Sequence, residues 1–460
     1  MAKILIMGDT VPTITNFELF SDGIAEDIVG TELVELFKKA DYRILNLETP
    51  LTDENTPILK WGVNLSAPTS TVKGIKALDI NYAGLANNHI MDQGTEGLFS
   101  TIQLLRENNI LFSNVGRNLL EAEKGKIVII DGLKIGIYAC VEHEYSYADE
   151  SKAGANPFEP MNTYIHISQM KKECDYLLVL YHGGKEHYRY PTPDLQKVGR
   201  KFIECGADLV ICQHSHCIGC EERYLNGTIV YGQGNFLFDY LQEECWQDGL
   251  IVEWNVSKGN SGIDYVPVMR DNNRVIMANL SERGMILAGF QERSEQIKEK
   301  EFLQKEFDKL CKNNFRLYMN GIKQGTSLQR DDYIRCETHR EIILRGIYLE
   351  QEDRSRMLQT VFSKKIVVWG TGNYGEVIYK LLRVNHIDIC AFCDNDIAKC
   401  GNVKYGIKII TPQELSALEK DDYLVIVATV YENEIEKQLL DMGFRQYYLL
   451  SDLRGRIMEL

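Results

Sequence analysis

The chain has 460 residues, enough for two or three domains, and its 51 basic and 66 acidic side chains leave a net charge of −15. That balance argues against a nucleic-acid backbone as the main partner, because phosphate binding needs clustered lysine and arginine. Apolar residues at 44% and charged residues at 25% exclude a disordered or fibrous chain.

The first apolar run, Ile4-Leu5-Ile6-Met7, stops at Gly8-Asp9. It is too short for the core of a signal peptide and reads as a buried strand. No stretch approaches the roughly 18 uninterrupted apolar residues of a membrane span, so none is expected. Twelve cysteines are scattered without a framework. They read as reduced thiols, and a cytoplasmic location is expected. The Cys217/Cys220 and Cys390/Cys393 spacings are not repeated as a zinc ribbon requires.

Residues 1–275 alternate short apolar runs (Ile44–Leu47, Ile127–Ile130, Ile135–Cys140, Leu177–Tyr181, Leu209–Cys212, Thr228–Tyr231) with helical patterns such as Gly97–Asn108 and Pro193–Cys205. That alternation predicts a layered α/β domain. Residues 276–360 are rich in Glu, Lys, Arg and Gln. Leu303, Phe307, Leu310 and Cys311 recur there at helical spacing, which predicts a helical connector to which the sequence assigns no chemistry. Residues 361–460 start again as a small α/β domain, with strands at Lys365–Trp369, Ile387–Phe392, Tyr423–Ala428 and Tyr447–Leu450.

In the first domain the informative residues are those just beyond each strand. Asp9, Glu48, Asn87-Asn88-His89, His182 and His214-Ser215-His216 stand at five strand ends. Sites in open α/β sheets form beyond the carboxyl ends of strands, and oxygen and imidazole groups gathered there can hold divalent metals. Asp92 and Glu186 are candidates to orient ligands or His89, Asn235 and Phe236 to line the pocket, and His143 to face the crevice; His187 reads as surface.

The string Asp9 … Asn46-Leu47-Glu48 … Asn87-Asn88-His89 … His182-Gly183-Gly184-Lys185-Glu186 … His214-Ser215-His216 … Gly232-Gln233-Gly234-Asn235 resembles the CapA family of bacterial capsule and poly-γ-glutamate synthesis proteins. These have the calcineurin-like metallophosphoesterase fold. The resemblance implies a four-layer α/β/β/α sandwich with one or two divalent ions (Mn, Fe, Zn or Mg). Asp9, Glu48 and His216 would hold one ion. Glu48 would bridge to a second held by Asn88, His182 and His214, and His89 would be general acid or electrophile. Val11 stands where the wider superfamily has a ligand histidine, and Glu48 where phosphatases usually have aspartate.

The implied function is a metal-dependent hydrolase of capsule, poly-γ-glutamate or exopolysaccharide metabolism, acting on a phosphoester or amide of a small molecule or polymer precursor. The alternative is a non-hydrolytic assembly factor with a degenerate or structural metal site, working with other capsule-synthesis proteins.

In the last domain Gly370-x-Gly372-x-x-Gly375 lies between a predicted strand and a helix, and Asp394 stands near the end of the second strand. Such glycines permit close approach of a phosphate to a helix N-terminus, and such a carboxylate can bind a sugar hydroxyl. The segment resembles Rossmann-like domains attached to sugar acyltransferases, which implies a nucleotide or nucleotide-sugar ligand.

Overall fold

The computed structural model describes residues 1–142, 144–239, 244–384 and 386–453, so His143 lies outside the described residues. Residues 1–346 and 347–460 form two compact units. No helix among the described residues is long and apolar enough to cross a membrane.

The first unit stacks two sheets face to face. In one, Ala2–Thr10, Tyr42–Leu47, Tyr82–Gly84 and Leu111–Ser113 run parallel, and Asp248–Ser257, Asn260–Asp271 and Arg274–Met277 extend it antiparallel. In the other, Leu133–Val141, Tyr176–His182, Leu209–Gln213 and Gly227–Gln233 are parallel, with antiparallel edge strands Lys126–Ile130 and Ile218–Tyr224.

Continuous apolar strands result from burial on both faces. Leu178, Leu180, Leu209 and Ile211 join the core that also holds Ile4, Ile6, Ile44 and Trp254. Leu177, Val179, Val210 and Cys212 instead pack outward onto Phe158, Ile167 and Phe202. Each such side chain contributes about 1.5–3 kcal/mol on burial. Helices Ala25–Lys38 and Gly94–Glu107 cover the first sheet, and Pro160–Lys171 and Pro193–Glu204 the second. The result is the four-layer α/β/β/α sandwich.

The local sequence sets these helices. Thr192 accepts a hydrogen bond from the Leu195 N–H, and Pro193 occupies the first turn, where its missing N–H costs nothing. Leu195, Gly199, Phe202 and Ile203 then form the buried stripe.

The helical segment expected as a connector divides at Gly346. Helices Leu280–Gln296, Lys300–Gln324 and Ser327–Arg335 and the start of Glu337–Ser363 belong to the first unit. Arg293 Nε donates to Gly219 O at 2.7 Å, Arg345 grips both oxygens of Asp308 at 2.7 Å, and Glu341 accepts from the Asp194 N–H at 3.1 Å. Ile297 and Leu303 enter the outer core of the second sheet.

In the second unit, parallel strands Ile407–Ile410, Ile389–Cys393, Lys365–Trp369, Tyr423–Val427 and Tyr447–Tyr448 lie in that spatial order, with Val403–Lys404 antiparallel at one edge. Apolar clusters on both faces seat helices Asn373–Val384 and Glu432–Asp441 on opposite sides. This is a doubly wound sheet.

Candidate metal centre

Strand register brings the polar strand ends together. Asp9 pairs opposite Asn46 and His182 opposite Gln213, so the residues just beyond them share one rim. Glu48 is fully buried there. Its Oε1 lies 3.3 Å from His182 Nε2 and 4.0 Å from His216 Nε2. Ligand atoms of Asp9, Glu48 and His182 lie within 4.8 Å of one another, as do those of Glu48, His214 and His216. Glu48 is common to both groups. Asp9 Oδ2 also lies 3.3 Å from His216 Nδ1, and the His182 and His214 rings lie 5.0 Å apart. Asn88 joins through its Oδ1, 2.9 Å from His182 Nε2.

A ring of amides and aromatics fixes these groups. Asn46 Nδ2 donates to Asp9 Oδ1 at 2.8 Å and lies 3.3 Å from His182 Nδ1, while Asn87 Nδ2 donates to Asn46 Oδ1 at 3.1 Å. His216 packs on Trp246 with ring centroids 4.6 Å apart and on Phe238 at 5.6 Å. Val11 is buried against the same Phe238 and Trp246. The His214 N–H donates to Asp9 Oδ2 at 3.2 Å. His214 (φ 86°) and His216 (φ 54°) both hold left-handed backbone, which costs a non-glycine residue on the order of 1–3 kcal/mol and gathers at functional sites.

The electrostatics describe a nest short of positive charge. Burial would raise Asp9, but the hydrogen bond from His216, the charges of His182 and His216 and the Asn46 amide hold it well below the usual carboxylate range. Burial and the neighbouring Asp9 push Glu48 well up. Burial pushes His182 down to about 4 and His214 well below the usual imidazole range, whereas His216, despite burial, is pushed up to about 10 by Glu48 and Asp9.

The residues fit divalent cations. Both Glu48 oxygens and His214 Nδ1 are buried with no hydrogen-bond partner among the described residues. Orphaned groups of this kind are rare in a folded interior, and a mixed carboxylate, amide and imidazole set suits Mn, Fe or Zn.

Beside the centre, His89 Nδ1 lies 2.6 Å from Asp92 Oδ2, and the Lys60 ammonium lies 2.5 Å from Asp92 Oδ1 and 3.2 Å from His89 Nδ1. Asp92 is fully buried and also accepts from the Leu65 N–H at 2.6 Å. Burial lowers the His89 pKa against the opposing pull of Asp92. Glu186 Oε1 lies 4.0 Å from His214 Nε2 and lines, with His89 and Asn88, a cavity of about 470 Å³.

Asn235 does reach the centre, with Oδ1 2.9 Å from His216 Nδ1, but Phe236 turns into the core between the sheets and packs on Phe37. His187 is exposed, and its Nε2 accepts from Trp246 Nε1 at 2.8 Å. The helical segment assigned no chemistry supplies Tyr318, Tyr333 and His339 to the cavity wall.

In the second unit Gly370 (φ 116°) turns the chain after its strand. A Cβ on Gly375 would lie 1.9 Å from Gly370 O, so that glycine serves close helix–strand packing. Asp394 Oδ2 accepts from the Thr371 N–H at 3.1 Å and from its hydroxyl. The carboxylate expected to meet a sugar hydroxyl is thus engaged by its own loop.

The family described as bacterial capsule synthesis protein PGA_cap matches residues 3–240, more than half of the chain and every residue of the centre. The chain belongs to this family. Residues 362–450 match a second family, C2185-like, N-terminal. The capsule biosynthesis protein CapA of Bacillus anthracis is 25% identical over 256 residues, which cover 53% of this chain and 61% of that protein. The PGA biosynthesis protein CapA of Bacillus subtilis (strain 168) is 28% identical over 236 residues, covering 49% and 60%. A Mycobacterium tuberculosis protein named as a polyglutamine synthesis accessory protein is 26% identical over 213 residues, covering 44% and 56%. The chain thus spans less than two thirds of the length of these relatives.

Proposed function

We propose that this protein is a metal-dependent hydrolase of capsule, poly-γ-glutamate or exopolysaccharide metabolism that cleaves a phosphoester or amide bond of a polymer precursor. The observation that carries the reading is Glu48, a fully buried carboxylate set among three histidines and Asp9, whose two oxygens have no hydrogen-bond partner among the described residues. Asp9, Glu48, Asn88, His182, His214 and His216 would hold one or two divalent ions, of Mn, Fe, Zn or Mg. Bound there, such ions supply Lewis acidity and a nucleophile from water at neutral pH.

The chain's own residues supply the proton traffic. Asp92 anchors His89 Nδ1, which leaves Nε2 for the substrate. The neutral ring accepts a proton, and Asp92 stabilises the resulting imidazolium, which can then donate to a leaving group. Lys60 holds the other oxygen of Asp92 at 2.5 Å, which fixes that carboxylate beside the ring. In the second unit, a nucleotide or nucleotide-sugar would sit against the turn Gly370–Gly372, with Gly375 packing the helix behind it and Asp394 ordering the loop through Thr371.

The test is metal content by mass spectrometry, together with turnover of a generic phosphodiester and a γ-glutamyl anilide in Mn²⁺. One or two equivalents are expected, with His89→Ala lowering kcat by roughly 10²–10⁴-fold while metal is retained. A folded chain with no metal and no turnover overturns the reading. That result would support a non-hydrolytic assembly factor, which Val11 at the usual ligand position favours, as does the accessory role in the M. tuberculosis relative's name.

A further inference from the structure

Which residues of the centre contact an ion, and how many ions they take, follows from the hydrogen bonds they already make. Both oxygens of Glu48 and Nδ1 of His214 are buried with no hydrogen-bond partner among the described residues. His216 Nδ1 is engaged by Asn235 Oδ1 at 2.9 Å, which leaves Nε2 toward Glu48. Glu48, His214 and His216 form one of the two groups whose ligand atoms lie within 4.8 Å of one another. Two imidazoles and a carboxylate, with a position left open, make a complete catalytic site for one divalent ion.

The other group, Asp9, Glu48 and His182, is already engaged except at Glu48. Asp9 Oδ1 accepts from Asn46 Nδ2 at 2.8 Å, while Oδ2 accepts from the His214 N–H at 3.2 Å and lies 3.3 Å from His216 Nδ1. One carboxylate thus holds both histidines of the first group, which is the place of a partner behind a ligand imidazole. His182 is fixed through a chain of amides. Asn87 Oδ1 accepts from the His89 N–H at 3.2 Å and its Nδ2 donates to Leu47 O at 2.8 Å, so its orientation is set. That Nδ2 also donates to Asn46 Oδ1, which turns Asn46 Nδ2 toward Asp9 and toward His182 Nδ1, 3.3 Å away. His182 Nδ1 is then the acceptor, and Nε2 carries the proton, 2.9 Å from Asn88 Oδ1. A protonated ring nitrogen has no lone pair to give an ion.

Space and charge agree. Two residues after Asp9, where the wider superfamily has a ligand histidine, Val11 is 1% exposed and packed with Phe238 and Trp246. That apolar cluster offers a second ion no ligand. Two dications would also set four positive charges against the two carboxylates of these groups, Asp9 and Glu48, both buried. Uncompensated buried charge is costly, whereas one dication is balanced.

Resting on the metal-dependent reading above and narrowing it, we infer that the centre takes one divalent ion on Glu48, His214 and His216, with Asp9 and the Asn88–His182 pair as positioning residues.

The experiment loads the full chain with Mn²⁺, removes loose ion by gel filtration, and reads metal content and the electron paramagnetic resonance spectrum. One equivalent is expected, with the spectrum of an isolated ion and, in pulsed mode, couplings to two imidazoles. Asp9→Asn should keep that equivalent and that spectrum while affinity falls about 10–100-fold. Glu48→Gln, matched in shape, should lose the ion altogether. The wild-type spectrum carries the test should either variant misfold. Two equivalents with an exchange-coupled spectrum, or couplings to three imidazoles, overturn the inference, as does an Asp9→Asn loss as complete as that of Glu48→Gln. One isolated ion with no turnover of a phosphodiester or γ-glutamyl anilide leaves the inference standing and removes the hydrolase reading. Two coupled ions with turnover do the reverse, and a folded chain that binds no ion removes both.

Discussion

Asn235 Oδ1 lies 2.9 Å from His216 Nδ1, and this contact decides which ring nitrogen of His216 faces Glu48. With Nδ1–H donated to the amide, Nε2 is left toward Glu48 Oε1, 4.0 Å away. Partners of this kind fix the tautomer and orientation of a ligand imidazole, and their loss typically costs 10–100-fold in metal affinity. Asn235→Ala is therefore expected to weaken Mn²⁺ binding by about that factor, measured by chelator competition. The melting temperature in EDTA should change little by comparison. An affinity within two-fold of wild type would show that Asp9, 3.3 Å from the same nitrogen, orients the ring alone.

The glycine loop of the second unit separates packing from binding. Gly375 has no room for a methyl group, since its Cβ would meet Gly370 O at 1.9 Å, whereas nothing lies within 4 Å of a Cβ on Gly372. Gly375→Ala is expected to unfold residues 365–450 locally, seen as lost amide-exchange protection there with the first unit unaffected. Gly372→Ala should keep that protection and lower affinity only for a nucleotide that approaches the loop. Equal protection in both variants would mean that the helix Asn373–Val384 can shift to admit the methyl group.

These contrasts show which parts of the molecule were legible. The strand ends could be read because a doubly buried parallel strand is an unbroken apolar run, so the first polar residue after Leu177–Tyr181 or Leu209–Cys212 marks the rim. The antiparallel ribbon over 248–277 carried no such signal. Its middle strand is partly exposed and mixes Asp264, Gly262 and Asn260 with partly buried apolar residues. Tyr318 was hidden for a different reason. It continues the buried helical stripe of Leu303, Phe307 and Cys311, so periodicity assigns it to the core. Only the tertiary arrangement shows the residue on a cavity wall. Lys60 sits in an irregular loop, where no periodicity reports its pairing with Asp92. Asp394 had the expected spacing from Gly370, but spacing does not reveal that Thr371 already occupies its carboxylate.

The anchoring of the helical wall carries a pH dependence. Glu142 is 3% exposed and accepts from the Thr338 hydroxyl at 2.7 Å and the Tyr181 hydroxyl at 3.2 Å, with the Cys336 thiol at 3.4 Å. Burial and the charge of Glu337 push its carboxyl up to about 8 from an ordinary 4.5. Between those values the folded chain keeps a proton that the unfolded chain has lost, so the stabilisation is complete below about pH 4.5 and is lost as pH rises toward 8. The loss is on the order of a few kcal/mol. Glu341, pushed up to about 7 by burial, acts in the same direction at the other anchor of this segment. Glu142→Gln keeps the shape and removes the titration. Its melting temperature should exceed that of wild type at pH 8.5, and the difference should shrink or reverse at pH 5. A gap between the two proteins that stays constant across this range would assign Glu142 a packing role with no protonation linkage.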